Sequence, residues 1–108
     1  MELSTFANGD RHVVKVAGQL TDDSELGRLP LVVEQVVGQG MPAVVELDLG
    51  GVEIIDMEGI GAILQARKRA IARGSRFVLV EERPQVRRRL EISGLLPLLE
   101  GRTGDARS

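Results

Sequence analysis

The sequence predicts an α/β fold, built on a mixed, mostly parallel sheet of about four strands with an N-terminal β-hairpin and three to four helices. After two opening strand segments, strands alternate with helices, which implies parallel strand pairs joined by right-handed crossovers. The dipeptide Asn8-Gly9 tolerates the positive φ angles of a tight turn, so it predicts the hairpin. A chain of 108 residues is long enough for one hydrophobic core.

The first half of the chain opens with short strands predicted at residues 3–7 and 12–17. Next comes Thr21-Asp22-Asp23-Ser24, which offers several N-caps for a helix with apolar residues at helical spacing. Pro30 removes a backbone donor, so the regular helix is expected to start near it or to kink there. Gly38 to Pro42 ends this helix.

The middle of the chain is predicted to lead a strand into a second helix. Residues 43–49 form a nearly continuous apolar run, which is typical of a strand covered on both faces. Gly50-Gly51 predicts a turn, and residues 52–55 then approach Asp56. An Asp at this point favours a helix N-cap, because its carboxylate accepts from free backbone N–H groups.

The second half is predicted to form a helix, a strand and another helix. The first of these helices ends near Gly74, residues 77–80 form the strand, and Pro84 opens the last helix, which Ser93-Gly94 ends. Apolar residues mark both helices: Ile60, Ile63, Leu64 and Ile71 follow one side of the first, and Val86, Leu90 and Ile92 lie on the last.

The chain is expected to be one domain over residues 1–100, with a flexible C-terminal tail at 101–108. Within the domain, residues 95–99 are expected to form a short packed segment. The apolar runs are far shorter than a membrane span, and the first residues are acidic, unlike a signal peptide. A cytoplasmic protein without membrane insertion is expected.

Composition argues against several kinds of function. The chain has no Cys, so thiolate nucleophiles and zinc–thiolate sites are excluded. Its only aromatic residues are Phe6 and Phe77, which argues against a base-stacking platform for nucleic acid. His12 is a lone histidine in a predicted strand and favours a surface role.

Charge is distributed unevenly along the sequence. Residues 1–60 hold 11 acidic and 3 basic residues, a net charge of −8, whereas residues 61–108 hold 5 acidic and 11 basic residues, a net charge of +6. The basic run Arg87-Arg88-Arg89 is expected to be a solvated helix face, supported by the helix-neighbour spacing of Arg87 and Glu91. Direct binding of nucleic acid is not expected.

The nearest approach to a catalytic group is a set of four acids, Asp48, Glu53, Asp56 and Glu58. Paired carboxylates can bind a divalent cation or act as acid and base. Structural roles account for them more simply, because Asp56 fits a cap, Glu58 a first-turn acid and Asp48 a strand end. We therefore expect no enzyme activity, catalytic residue, metal or cofactor.

Four segments resemble the STAS family, the sulfate-transporter and anti-sigma-factor-antagonist domains, and in particular its single-domain bacterial antagonists. They are Gly18-Gln19-Leu20-Thr21, the strand at 44–49, the segment from Ile55 to Gly61, and the late helix from Val86 to Leu95. The third is similar to the Met-Asp-Ser-Ser-Gly-Leu-Gly signature of the family. The resemblance covers nearly the whole chain and implies the STAS fold.

What the resemblance implies is partner switching. In this family the domain binds a serine-kinase-type anti-sigma factor and so frees a sigma factor, until the kinase phosphorylates a Ser or Thr in the signature. That acceptor matches Glu58, which cannot be phosphorylated, while Met57 replaces the serine before it and Thr21 the usual Asp. Phospho-control is thus lost, mimicked by the carboxylate, or relocated, with Thr21 and Ser24 as the nearby hydroxyls.

The expected contact face joins the loop at residues 21–24 to the start of the helix after Asp56. Its residues are Thr21, Asp22, Asp23, Ser24, Ile54, Asp56, Met57, Glu58, Gly59 and Gly61. The resemblance also leaves open a STAS accessory subunit of a lipid or anion transport system, and the acids leave open a metal enzyme using Asp48, Asp56 and Glu58. A monomer or weak dimer is expected.

Overall fold

The computed structural model describes residues 1–99, and the tail predicted at 101–108 lies outside them. The elements in chain order are β1 (Glu2–Asn8), β2 (Arg11–Leu20), α1 (Arg28–Gly40), β3 (Val44–Ile55), α2 (Met57–Ala72), β4 (Arg76–Val80), α3 (Pro84–Ser93) and α4 (Leu96–Leu99). The four strands lie side by side in the order β1-β2-β3-β4. The β1–β2 pair is antiparallel and the other two pairs are parallel, which confirms the predicted mixed sheet.

The core lies between one face of the sheet and the helices. Its largest fully buried side chains include Val14, Leu47 and Leu49 from the strands and Ile60 and Ile63 from α2. β3 was expected to be buried on both faces, but its first half alternates, since the residues between its buried leucines are half-buried. Burying many aliphatic side chains together is the main stabilising contribution to such a fold.

Two of the apolar residues on these helices are exposed. Ile71 is 45% exposed in the last turns of α2, where Ala66 and Ala70 occupy the buried side instead. Ile92 is 74% exposed on α3, which is anchored by the fully buried Val86 and Leu90. Leu96 of α4 is buried, consistent with the packed segment expected there.

The hairpin turn lies one residue later than predicted. Asn8 pairs with Arg11, so the two turn residues are Gly9 and Asp10. Gly9 has a φ of +68°, a conformation that glycine adopts without steric cost.

β3 is the element that differs most from expectation. It runs unbroken through Gly50-Gly51, which were predicted to form a turn. A Cβ on Gly51 would lie 2.9 Å from the Cβ of Ala17 on the neighbouring strand. The register between β2 and β3 shifts at this point, so glycine here permits a close approach of two strands within the ladder.

Candidate functional site

Asp56 joins two segments that are distant in sequence. It is the N-cap of α2, with extended backbone angles, and its Oδ1 accepts from the backbone N–H of Gly59 at 2.8 Å. Its Oδ2 accepts from the backbone N–H of Asp22 at 3.0 Å. The predicted cap is therefore confirmed, and the same carboxylate also holds the loop at residues 21–24 against the start of α2.

Gly59 lets the end of β2 approach α2 very closely. A Cβ at this position would lie 2.1 Å from the carbonyl oxygen of Leu20. The same oxygen accepts from the backbone N–H of Asp56 at 3.1 Å. Only a glycine fits here, so backbone contacts and the Asp56 carboxylate together fix the loop relative to the helix.

The loop at residues 21–24 does not cap α1 as predicted. That helix begins later, with Gly27 at the N-cap and no side-chain cap bond. The Thr21 hydroxyl instead donates to the Asp23 carboxylate at 2.5 Å and lies 3.2 Å from the Ser24 hydroxyl. These bonds close the loop on itself, as Asp, Ser and Thr side chains commonly do in turns.

Glu58 lies exposed in the first turn of α2, where the positive end of the helix dipole favours an anion. Carboxylate oxygens of Asp22, Asp56 and Glu58 all lie within 4.8 Å of one another. Within residues 1–99, no ion pair joins any of the three to a Lys or Arg. The structure thus presents negative charge at this surface, and exposed acids in such a group are common without a metal.

Apolar side chains adjoin the acids. Ile54, the second-to-last residue of β3, is 52% exposed, and Met57, the first residue of α2, is 61% exposed. Ile54 also lines a groove of about 260 Å³ between the end of β3 and α3. Gly61 lies on the same helix, and a Cβ added there would meet no atom within 4 Å. The predicted residues at 21–24, 54, 56–59 and 61 therefore lie in one connected region.

Side chains of α3 and its N-cap hold the free edge of β3, a role that the sequence did not reveal. β4 pairs with β3 only as far as Asp48, so the rest of that edge has no strand neighbour within residues 1–99. Three carbonyls there accept from side chains: Gly50 from Arg83 at 2.8 Å, Glu53 from Gln85 at 3.3 Å and Ile55 from Arg89 at 3.3 Å. Arg89, which was expected to be solvated, thus supports the strand that leads into Asp56, together with Arg83 and Gln85.

Asp48 is separate from the acidic group. It lies within β3, not at a strand end, and its Oδ1 accepts from the backbone N–H of Gly50 at 2.8 Å. It borders a concavity of about 680 Å³ that also includes Lys15 and Glu81 but none of the predicted contact residues. The hypothesis of a metal site built from Asp48, Asp56 and Glu58 is not supported by this arrangement.

The fold and this site describe a small α/β domain with an exposed, acidic helix start that is fixed to a neighbouring loop. The STAS domain family model matches residues 7–106. The chain therefore belongs to the STAS family. No curated protein matches the sequence at a significant level.

Solved structures share this fold. SpoIIAA, an anti-sigma factor antagonist, in its unphosphorylated form has a TM-score of 0.72 at 21% identity, covering 89% of this chain and 84% of that one. An anti-sigma factor antagonist from Mycobacterium paratuberculosis has a TM-score of 0.72 at 22% identity, covering 87% and 78%. A sulfate transporter family protein from Wolinella succinogenes has a TM-score of 0.73 at 20% identity, covering 87% and 75%.

No helix within residues 1–99 has the length and apolar character needed to cross a membrane.

Proposed function

We propose that the protein is an anti-sigma factor antagonist that binds a serine-kinase-type anti-sigma factor and so frees a sigma factor. It acts in this proposal as a non-enzymatic interaction module in the cytoplasm of a bacterium. Membership of the STAS family supports the proposal, as does the fold shared with two proteins described as antagonists.

The observation that carries the proposal is the double role of Asp56. One carboxylate oxygen caps α2 and the other holds the backbone of Asp22, so the loop and the helix start form a single fixed surface. Ile54 and Met57 add exposed apolar area beside them. A surface that is already ordered loses less entropy when a partner binds.

The regulation of this surface depends on how Glu58 affects binding of the partner. A phosphoserine carries about −1.5 to −2 charge and three acceptor oxygens, whereas a glutamate carries −1 and two. If Glu58 mimics the phosphorylated state, the protein binds its anti-sigma factor weakly. If the partner has adapted to the carboxylate, it binds constitutively and ATP has no effect.

The test is to measure the affinity of wild type and Glu58→Ser for candidate anti-sigma kinases, with and without ATP. The mimicry hypothesis predicts weak binding by wild type, and tight binding by Glu58→Ser that ATP reverses through phosphorylation of the new serine. The constitutive hypothesis predicts that wild type binds tightly in both conditions.

Asp10→Ser is a matched control. It also removes one carboxylate, and Gly-Ser suits a two-residue hairpin turn as Gly-Asp does. Asp10 precedes β2 and the contact loop follows it, so the 10 residues of β2 place them about 30 Å apart. Asp10→Ser should bind as wild type does; failure of both wild type and Glu58→Ser to bind any candidate would contradict the proposal and leave the fold intact.

The relocated switch has its own test. Thr21 and Ser24 carry the hydroxyls nearest to the site, and both are already hydrogen-bonded within the loop. After incubation with the kinase and ATP, relocation predicts phosphate on one of them by mass spectrometry, and loss of the ATP effect in Thr21→Val or Ser24→Ala. An unmodified protein would contradict relocation.

A second candidate function is an accessory subunit of a lipid or anion transport system. It is favoured by the fold shared with the sulfate transporter family protein from Wolinella succinogenes. Affinity purification from the native cell distinguishes the two proposals. Recovery of an ATP-binding cassette subunit or a transporter supports the second, and recovery of an anti-sigma kinase supports the first.

A further inference from the structure

β1 leaves one edge of the sheet uncovered within residues 1–99. It spans Glu2–Asn8 and is hydrogen-bonded to β2 alone among the strands of that range. Every residue of β1 is exposed except Leu3, which is half-buried. The backbone groups on the outer side of β1 therefore face solvent.

The hairpin determines which backbone groups these are. Asn8 and Arg11 flank a two-residue turn, and the residues flanking such a turn form a hydrogen-bonded pair. Hydrogen-bonded pairs alternate along an antiparallel ladder, so Phe6 and Ser4 also bond to β2. Leu3, Thr5 and Ala7 consequently direct their N–H and C=O groups outward.

β1 lacks the features by which edge strands usually avoid pairing. Such strands are very short, carry Lys or Pro, or are distorted by a bulge. β1 is seven residues long, contains neither Lys nor Pro, and pairs with β2 without a register shift. Its only charged side chain is Glu2, at one end.

We propose that β1 pairs antiparallel with β1 of a second copy of this chain, centred on Thr5, to give a sheet that continues across a two-fold axis. The pairs in this register are Thr5 with Thr5, Leu3 with Ala7, Ser4 with Phe6 and Glu2 with Asn8. The strand is self-complementary in this register, because it places no like charges opposite each other. The outward N–H and C=O groups of Leu3, Thr5 and Ala7 meet those of the second copy.

The side chains fit the same register. A Thr–Thr pair is favourable across an antiparallel ladder. Phe6 is 48% exposed in the single chain, and pairing places it opposite Ser4 and diagonal to the other Phe6, a separation that aromatic side chains can span. A single strand-to-strand contact is small beside the roughly 1,200 Å² that stable interfaces bury, so the dimer is weak and reversible.

Thr5→Pro tests this pairing selectively. The Thr5 N–H faces outward, so proline removes no bond to β2, and proline is tolerated in edge strands in this orientation. Sedimentation equilibrium of wild type should show a concentration-dependent dimer. Thr5→Pro should raise its dissociation constant by at least about 10-fold, because the symmetric dimer loses two backbone hydrogen bonds.

Two further variants keep the test decisive. Thr5→Val retains the backbone donor and should dimerise as wild type does. Thr5→Lys places like charges opposite each other at the two-fold axis and should abolish the dimer. If circular dichroism shows that Thr5→Pro is unfolded, Thr5→Lys provides the test instead. A wild-type protein that stays monomeric to about 1 mM, or a dimer that persists in folded Thr5→Pro or Thr5→Lys, would overturn the proposal.

Discussion

At the scale of single residues, position 59 must be glycine because the backbone of β2 lies against it. Gly59→Ala would place a Cβ 2.1 Å from the Leu20 carbonyl oxygen, and neither backbone can move without breaking the contact between loop and helix. We expect a loss of about 1–3 kcal/mol in the free energy of unfolding, as for other overpacked positions. Urea denaturation followed by circular dichroism measures it.

Gly61→Ala is the control for this substitution. It lies in the same helix, and a Cβ there would meet no atom within 4 Å. Alanine should therefore stabilise the protein by about 0.5–1 kcal/mol through its better helix propensity. Equal effects at the two positions would contradict the role given to the Leu20 contact.

Substitutions can distinguish the roles of the two Asp56 carboxylate oxygens, one of which caps α2 while the other holds the loop. Asparagine caps a helix as well as aspartate does, but its amide nitrogen cannot accept from the Asp22 N–H. Asp56→Asn should keep the helix stability yet speed hydrogen exchange at the Asp22 amide, whereas Asp56→Ala should also cost about 0.5–2 kcal/mol. Unchanged exchange at Asp22 in both variants, measured by NMR, would show that this bond does not hold the loop.

At the scale of elements, α3 substitutes for a missing strand beside β3. Arg83→Met removes the donor to the Gly50 carbonyl while keeping much of the side-chain length, so it should cost about 0.5–1.5 kcal/mol in unfolding free energy. Arg88→Met is the matched control. Arg88 is exposed on α3, and its replacement should change stability by less than about 0.5 kcal/mol. Similar losses in both variants would contradict a specific role for the bond to Gly50.

The elements also show how far a sequence can predict this structure. Asp56 and the Pro84 helix start were predictable, because capping and proline effects act within one turn. The strand through Gly50-Gly51 was not predictable, because Gly51 is required by its close contact with Ala17 on the neighbouring strand. The bond between Asp22 and Asp56 likewise joins residues 34 positions apart, and no local pattern indicates it.

At the scale of the whole molecule, charge asymmetry along the chain becomes partly spatial. The strands lie in chain order, so β1, β2 and β3 come from the acidic first half, while β4 and α3 come from the basic second half. Pairing of Glu34 with Arg69 and Arg73 neutralises part of this difference where α1 meets α2. Within residues 1–99 the acids at the start of α2 lie outside such pairs, so their negative field is not cancelled there.

This field predicts that partner binding depends on salt. The group of Asp22, Asp56 and Glu58 should attract a basic surface, and raising the ionic strength from about 0.1 to 1 M shortens the screening length from about 10 to 3 Å. The affinity for the proposed anti-sigma factor should therefore fall as salt rises, and Glu58→Gln should reduce that slope whereas Asp10→Ser should not. Calorimetric titrations of the three proteins at several NaCl concentrations measure this. Affinity that stays constant or rises with salt would show instead that Ile54 and Met57 dominate the contact, because apolar burial is not weakened by screening.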